Sequence, residues 1–253
     1  MHQEYVRRVP GAKTAVMFIH GIVGTPNHFT DLLPLVEMVP SGCTVYNVLL
    51  DGHGGAVEDF SHTSMNKWKS QVWRIFNDLQ AGHEEVILVG HSMGTLFSLQ
   101  LAAQHPDKIK RLVLFACPLY ARVRLAALVN STKVALNVVD TNNPQQVATA
   151  QACGVYTEKK LWKYILWLPR MLELLREIHD TRKIIDAVQI PVAAFQSCRD
   201  ELVSNRAGKL LERNKWATVY YLKGSSHYYY DQKDMIQICS YFTEIMKPYK
   251  KQD

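Results

Sequence analysis

A short apolar run ends against a serine flanked by glycines in the stretch EVILVGHSMGTL, residues 85–96. Val, Ile and Leu in an unbroken run favour a buried strand, and Gly90 and Gly94 allow a tight turn on either side of Ser92. A serine at a sharp strand-to-helix turn is held out of the strand with its hydroxyl accessible. The pattern therefore predicts that Ser92 is a nucleophile at the end of a strand.

The serine strand is one of several short apolar segments that alternate with segments of helical periodicity. The predicted strands are TAVMFIH, TVYNVLL, EVILVG, RLVLFAC, VAAFQS and TVYYL, which begin at residues 14, 44, 85, 111, 192 and 218. The predicted helices are NHFTDLLPLVEMV, SMNKWKSQVWRIFNDLQ, SMGTLFSLQLAAQH, SNRAGKLLERN and a last one near residues 231–246. This alternation predicts an α/β fold, with a mostly parallel sheet covered by helices on both faces. In such sheets reactive groups collect beyond the carboxyl ends of the strands.

A serine hydroxyl is a poor nucleophile at neutral pH, so it needs a base, and histidine has a suitable pKa. Three histidines follow Ser92 in the chain. His105 and His179 fall in segments of helical pattern, whereas His227 comes after the last predicted strand and a Gly/Ser turn. We therefore expect His227 to be the base.

The imidazole in turn needs a carboxylate to set its tautomer and to stabilise its protonated form. Asp200 and Glu201 follow the predicted strand that precedes the histidine strand. Asp200 comes first and has the shorter side chain, so we predict it as the acid and Glu201 as a solvated neighbour. The spacing from Asp200 to His227 leaves room for one α/β unit.

Two backbone N–H groups must also meet the negative charge of a tetrahedral intermediate. Met93, the residue after the candidate nucleophile, is expected to supply one of them. The second is expected from Ile22 in HGIVG, where Gly21 and Gly24 allow the loop to turn close to the sheet. A plain strand-to-helix turn is the alternative interpretation of this loop.

The strand alternation lapses over residues 117–186, which is longer than an ordinary connection. Helical periodicity in this insertion predicts a helical cap within one domain, whose core comprises residues 1–116 and 187–253. Trp162, Ile165 and Leu166 are expected to line a substrate pocket under the cap. Aromatic residues at helical spacing can instead pack an insertion onto its core, so that alternative stays open.

Composition limits the remaining classes of protein. The chain has 253 residues, 47% of them hydrophobic and 21% charged, without a linker-like segment, which is typical of one domain with a large core. We find no apolar stretch of membrane-spanning length and no signal sequence, and we expect a cytoplasmic protein without integral membrane association. The five cysteines are scattered, so neither a disulfide framework nor a metal site is expected. The net charge of +6 is spread along the chain, which disfavours a nucleic-acid partner.

The motifs HGIVG, DGHGG, GHSMG, SCRDELVS and SSHYYY follow one another in the order found in α/β-hydrolases. The chain resembles small bacterial carboxylesterases and monoglyceride-lipase-like serine hydrolases. The resemblance implies the α/β-hydrolase fold, a structural role for DGHGG and no cofactor. The chain departs from the family in its short N-terminal part, where the usual leading strands are reduced to EYVRRV. The resemblance also implies the same site: Ser92, Asp200 and His227 as triad, with Ile22 and Met93 as oxyanion donors.

These observations predict a serine carboxylesterase that acts on small to medium acyl esters or monoacylglycerols as small-molecule substrates. The same machinery can cleave amides or thioesters, so a serine aminopeptidase-like enzyme or a thioesterase is the alternative. A non-catalytic ligand-binding module that reuses the fold is a further alternative. The oligomeric state is left open.

Overall fold

The computed structural model of the chain describes residues 2–250, and a seven-stranded sheet forms the centre of this part. Its strands are β1 Tyr5–Arg7, β2 Thr14–Ile19, β3 Thr44–Val48, β4 Glu85–His91, β5 Ile109–Phe115, β6 Val192–Ser197 and β7 Ala217–Leu222. The spatial order is β1-β3-β2-β4-β5-β6-β7, with β1 antiparallel to β3 and the other neighbours parallel. The predicted mostly parallel sheet is confirmed, and the leading segment EYVRRV forms the short edge strand β1.

Helices fill the connections between the strands. They are α1 Leu35–Met38, α2 Val57–Ser61, α3 Met65–Gly82, α4 Met93–Gln104, α5 Leu125–Ala135, α6 Pro144–Ala152, α7 Leu168–Lys183, α8 Arg206–Leu211 and α9 Gln232–Met246. The predicted helix over residues 27–39 is only partly right, because this segment forms a short 3-10 helix, Pro26–Phe29, and then α1. Pro34 lies between the two, and a proline inside a helix removes a hydrogen-bond donor and clashes with the preceding turn.

Side chains of the central strands alternate between two apolar cores, one on each face of the sheet. One core joins Met17, Leu88 and Leu114 to helices α3, α4, α7 and α8. The other joins Phe18 and Val89 to α1 and α9. Both faces of the strands are therefore buried, which explains why the strand sequences are continuous apolar runs rather than alternating ones.

Helix α4 lies in the middle of the molecule, and its residues from 93 to 102 are all buried. Its first turn touches the end of β2, since a Cβ built on Gly94 would overlap the carbonyl oxygen of Ile19. This close approach needs a glycine. It places the start of α4, and Ser92 just before it, at the carboxyl edge of the sheet.

Residues 117–186 contain α5, α6, a 3-10 helix Leu161–Trp167 and α7. Helix α7 packs on the core: Ile178 is buried, and Gln100 in α4 donates hydrogen bonds to Glu177 and Thr181. Glu177 also pairs with Lys69 of α3 at 2.9 Å. The division into a core and a cap bounded at residues 117 and 186 stays a proposal.

Membrane insertion has a simple length requirement of about 20 apolar residues in one helix. Every helix within residues 2–250 is too short or too polar to cross a bilayer.

The packing of α9 generates a stability prediction. Phe242 is 1% exposed beneath this helix and contacts Phe18 at a ring distance of 6.4 Å. Phe242→Ala should lower the free energy of unfolding by about 3–5 kcal/mol, because it removes a buried ring and leaves a cavity. Ile236→Ala on the same helix, where the side chain is 62% exposed, should change it by less than about 0.5 kcal/mol. Urea unfolding of both variants measures the difference, and equal losses would contradict this packing.

Candidate active site

Ser92 stands alone between the last residue of β4 and the first residue of α4. Its backbone has φ 50° and ψ −120°, an unfavourable conformation for a residue with a side chain. The Ser92 N–H donates to the carbonyl of Phe115 at 2.9 Å. A Cβ on Gly90 would lie 2.9 Å from the Gly94 carbonyl group, so both flanking glycines are needed for the bend. The strand-to-helix turn thus holds the serine in a strained position, as expected for a nucleophile elbow.

His227 and Asp200 form a buried pair at the same edge of the sheet. Asp200 follows β6 and His227 follows β7, and these strands are parallel neighbours. The His227 Nδ1 lies 2.9 Å from Oδ2 and 3.1 Å from Oδ1 of Asp200. Oδ1 of Asp200 also accepts the N–H groups of Leu202 and Val203, each at 2.8 Å. A proton on Nδ1 is thereby favoured, which leaves Nε2 available as a base.

Glu201 is buried, with 7% of its surface exposed, so the expectation of a solvated neighbour is wrong. Its Oε2 accepts the backbone N–H of His227 at 3.1 Å. A buried N–H needs an acceptor, and the loop after β6 turns this carboxylate toward it. Asp200 therefore holds the ring of His227 while Glu201 holds its main chain.

These two carboxylates decide the charge state of His227. Burial alone lowers the pKa of the imidazole, but the charge and hydrogen bond of Asp200 and the charge of Glu201 outweigh it, and the net pKa is raised above 6.5. The protonated ring is the form that a base must adopt during the reaction. The site thus stabilises the imidazolium without exposing it to water.

Three buried histidines around the site were not singled out from the sequence. His91 donates through Nε2 to the backbone carbonyl of His227 at 3.1 Å. The ring of His28 stacks on His91 at a centroid distance of 3.7 Å, and His28 Nε2 lies 3.2 Å from the Tyr230 hydroxyl. His20 contacts the loop after β2, described next. The signal available in the sequence for His20 and His91 was their position directly after β2 and at the end of β4, whereas His28 lies in the 3-10 helix Pro26–Phe29.

The pKa values of these histidines keep them neutral. Burial, with the charge of His227, lowers the pKa of His28 to about 3. Burial also lowers the pKa of His91 well below its usual value, followed by the charges of His28 and His227. His227 is therefore the histidine of this cluster that can carry a positive charge near neutral pH.

The loop after β2 lies against Ser92 at Gly21, the residue before Ile22. Gly24 N–H donates to the Gly21 carbonyl at 3.0 Å and closes a four-residue turn, residues 21–24, called the 21–24 turn below. The same carbonyl accepts from His20 Nδ1 at 2.8 Å. A Cβ on Gly21 would lie 2.8 Å from the Ser92 Cβ, so the turn lies directly against the serine.

Two backbone N–H groups remain available at this point. The hydrogen bond that closes the 21–24 turn does not use the N–H of Ile22. Met93 is the first residue of α4, where N–H groups have no partner within the helix. Ile22 follows the glycine that lies against Ser92, and Met93 follows Ser92 itself; their role as oxyanion donors stays a prediction.

The three predicted cap residues do not form a closed lining over the serine. Trp162, Ile165 and Leu166 are 64%, 62% and 57% exposed. The 3-10 helix Leu161–Trp167 docks on α2 through Trp167, whose Nε1 donates to Val57 at 3.1 Å and whose ring lies 4.5 Å from that of Phe60. Tyr164 packs against Trp167 at a ring distance of 4.8 Å, whereas Leu161, Trp162, Ile165 and Leu166 face outward. The assignment of the three predicted cap residues to a substrate pocket has no support from the geometry and stays a prediction.

A cavity of about 370 Å³ lies between α6 and residues 228–230, and none of the three predicted triad residues lines it. Tyr228 lines it, and its ring lies 4.6 Å from that of His227. A larger cavity of about 870 Å³ runs along α3 and residues 49–53, and none of the three predicted triad residues lines it. Within the described residues, no group of three or more His, Cys, Asp or Glu is arranged to hold a metal ion.

The model of the Hydrolase_4 family, described as serine aminopeptidase, S33, matches residues 10–230. The chain belongs to the Hydrolase_4 family. A carboxylesterase of Bacillus subtilis (strain 168) is 23% identical to it over 206 residues, which cover 79% of this chain and 78% of the relative. This Hydrolase_4 chain is therefore an α/β hydrolase, and the resemblance noted from its motifs is confirmed.

Solved structures place this Hydrolase_4 member in the same fold. One structure, described as that of LipS and LipT, two metagenome-derived lipolytic enzymes, has a TM-score of 0.70 at 16% identity and covers 96% of this chain and 98% of its own. The monoacylglycerol lipase of Paleococcus ferrophilus has a TM-score of 0.67 at 18% identity and covers 96% of this chain and 99% of its own. These likenesses confirm the predicted α/β-hydrolase fold.

The raised pKa of His227 generates a prediction about pH. The base must be neutral to accept a proton, so kcat/KM should fall as the pH falls through a single ionisation above 6.5. Asp200→Asn should lower kcat about 10⁴-fold and move this ionisation to lower pH, because the tautomer control and the charge are lost together.

Glu201→Gln is the matched control for this experiment. The amide oxygen can still accept the His227 N–H, so kcat should fall far less, with a smaller shift of the ionisation in the same direction. The pH profile of ester hydrolysis in all three proteins measures both effects. A larger loss in Glu201→Gln than in Asp200→Asn would assign the acid to Glu201.

Proposed function

We propose that this chain is a serine carboxylesterase that hydrolyses small to medium acyl esters or monoacylglycerols through an acyl-enzyme on Ser92. The observation that carries the proposal is the buried pair of His227 and Asp200, 2.9 Å apart, at the sheet edge where Ser92 occupies its strained turn. The similarity to a carboxylesterase of Bacillus subtilis and to a monoacylglycerol lipase of Paleococcus ferrophilus supports esters as the substrate class.

Acylation follows from the arrangement of these groups. As the Ser92 Oγ attacks the ester carbonyl carbon, Nε2 of His227 takes the hydroxyl proton, and the carbonyl oxygen becomes an oxyanion that the N–H groups of Ile22 and Met93 bind. The intermediate then expels the alkoxy group. His227 returns the proton to that oxygen, so that the alcohol leaves and the acyl group remains on Ser92.

Deacylation repeats these steps with water. His227 takes a proton from a water molecule as its oxygen attacks the acyl carbon, and the same two N–H groups bind the second oxyanion. The bond to Oγ breaks, the proton passes from His227 to Ser92, and the carboxylic acid leaves. Asp200 keeps the Nδ1 proton in place throughout and is itself never protonated.

The position of His227 also suggests where the alcohol part of the substrate lies. Since this ring protonates the leaving oxygen, the leaving group must lie on the histidine side of Ser92. Tyr228, the residue after His227, borders the cavity at α6, whose volume of about 370 Å³ is within the range of small-molecule sites. A small alcohol such as glycerol is compatible with this volume.

A fluorophosphonate probe tests the nucleophile. We expect it to label Ser92 and abolish hydrolysis, and Ser92→Ala to lower kcat by about 10⁶-fold where chemistry limits the rate. Ser98→Ala is the control, because Ser98 is a second buried serine of the same helix that bonds to the Gly94 carbonyl at 2.9 Å. It should leave labelling intact. Labelling of another residue, located by mass spectrometry, would contradict the proposal.

A substrate panel tests the reaction class. We expect kcat/KM for p-nitrophenyl esters and monoacylglycerols to exceed that for an aminoacyl p-nitroanilide or an acyl-CoA, with an optimum at short to medium acyl chains. Preference for the anilide or the thioester would favour the peptidase or thioesterase alternative. A long-chain optimum, together with a rate increase at the solubility limit of tributyrin, would instead show that the exposed apolar side chains around Trp162 bind a lipid interface.

A further inference from the structure

Residues 153–156, called the strap here, connect two loops that are distant in the sequence. The strap directly follows α6. Gly154 N–H donates to the carbonyl of Val23 at 2.8 Å, and the Gly154 carbonyl accepts from Gly54 N–H at 2.6 Å. Tyr156 N–H donates to the Gly55 carbonyl at 2.8 Å, and Ala56 and Tyr156 form a parallel bridge. The strap therefore links the 21–24 turn to the loop of residues 51–55.

Val23 has an unfavourable backbone conformation in the 21–24 turn. Its φ is +55°, and it is the third of the four turn residues. A positive φ at this position is normally taken by Gly or Asn, because a branched Cβ collides with the backbone. Such a conformation persists only when its surroundings hold it. The hydrogen bond from Gly154 to the Val23 carbonyl is a contact of that kind.

Glycine is the residue type that permits this contact at position 154. A Cβ built on it would overlap the carbonyl group of Gly24 and lie 3.2 Å from the Thr25 Cβ. The φ of Gly154 is not in the left-handed region, so its backbone conformation does not require glycine. The requirement comes from the close approach of the strap to the turn.

The other end of the strap is anchored in a rigid loop, the DGHGG segment of the sequence. Gly52 has φ +73° and a Cβ there would lie 2.8 Å from the Asp59 carbonyl oxygen. Trp68 Nε1 donates to the Asp51 carbonyl at 2.7 Å, and the Trp68 side chain is fully buried. The 51–55 loop is thus fixed to α2 and α3, and it provides a firm support for the strap.

We propose that the strap holds the 21–24 turn in the conformation that presents the Ile22 N–H to the oxyanion, and that Gly154 is a positioning residue for catalysis. The inference rests on the proposed function, because it concerns the oxyanion site of that reaction.

Gly154→Ala tests the proposal, with Gly82→Ala as its control. A Cβ at Gly82, the last residue of α3, meets no atom within 4 Å. Loss of one oxyanion donor lowers kcat by about 10²–10³-fold, so we expect a fall of about 10²-fold for Gly154→Ala with KM changed less than about three-fold. Gly82→Ala should keep the wild-type kcat. Both variants should be folded by circular dichroism, with a lower melting temperature in Gly154→Ala, because its Cβ overlaps the Gly24 carbonyl.

An inhibitor and a second substitution distinguish positioning from a general structural role. A trifluoromethyl ketone forms an oxyanion on Ser92, so its affinity should fall with kcat in Gly154→Ala while the affinity for an unreactive product acid is unchanged. Val23→Asn in the Gly154→Ala background should restore part of kcat, because Asn adopts a positive φ more readily and the turn then needs the strap less. Unchanged kcat in Gly154→Ala, or no restoration, would overturn the proposal.

The far end of the strap supplies a test if Gly154→Ala does not fold. Tyr156 is 55% exposed, so Tyr156→Pro removes the hydrogen bond to Gly55 without opening the core, and Tyr156→Ala keeps that bond. We expect kcat to fall at least five-fold in Tyr156→Pro and to stay unchanged in Tyr156→Ala. Equal kcat values in the two variants would contradict the positioning role of the strap. Failure of the proposed function is distinct, since the wild-type enzyme would then be neither labelled at Ser92 nor active on esters.

Discussion

The position of Ser92 depends on how closely the start of α4 approaches the end of β2. Gly94 allows the helix to touch the carbonyl of Ile19, and Gly90 allows the strand to pass beneath the first turn of the helix. The serine between them is forced to a positive φ that it would not adopt alone. The buried α4 and the sheet on either side hold this conformation, so the packing of the whole core maintains the strain at one residue.

Around this serine, polar groups fix the position and orientation of the candidate base. His227 is held at three points: by Asp200 at its ring, by Glu201 at its N–H and by His91 at its carbonyl. Two carboxylates near one imidazole raise its pKa despite burial, while the neighbouring His28, without such partners, becomes a much weaker base. Environment rather than residue type therefore separates a candidate base from a structural histidine.

Much of the fold and the candidate triad could be predicted because their signals are local. Apolar runs of strand length and the glycines around Ser92 indicate the local backbone conformation directly. The carboxyl ends of parallel strands meet at one edge of the sheet. Asp200 and His227 follow such strands, so the alternation of elements was enough to bring them together in the prediction. The helix over residues 27–39 was predicted less well, since Pro34 interrupts a pattern that is otherwise helical.

The sequence by itself determined the order of strands and helices along the chain, the strand-to-helix turn at Ser92, and the pairing of Asp200 with His227. It did so because periodicity and turn residues act within a few positions. Only the tertiary structure decided that Glu201 is buried, that Trp162 is exposed, and that Gly154 contacts Val23. These outcomes depend on which surfaces meet after the chain has folded. The contact between Gly154 and Val23 joins two loops that are far apart in the sequence, and loop contacts of this kind follow no hydrophobic period, so no pattern in the sequence indicates them.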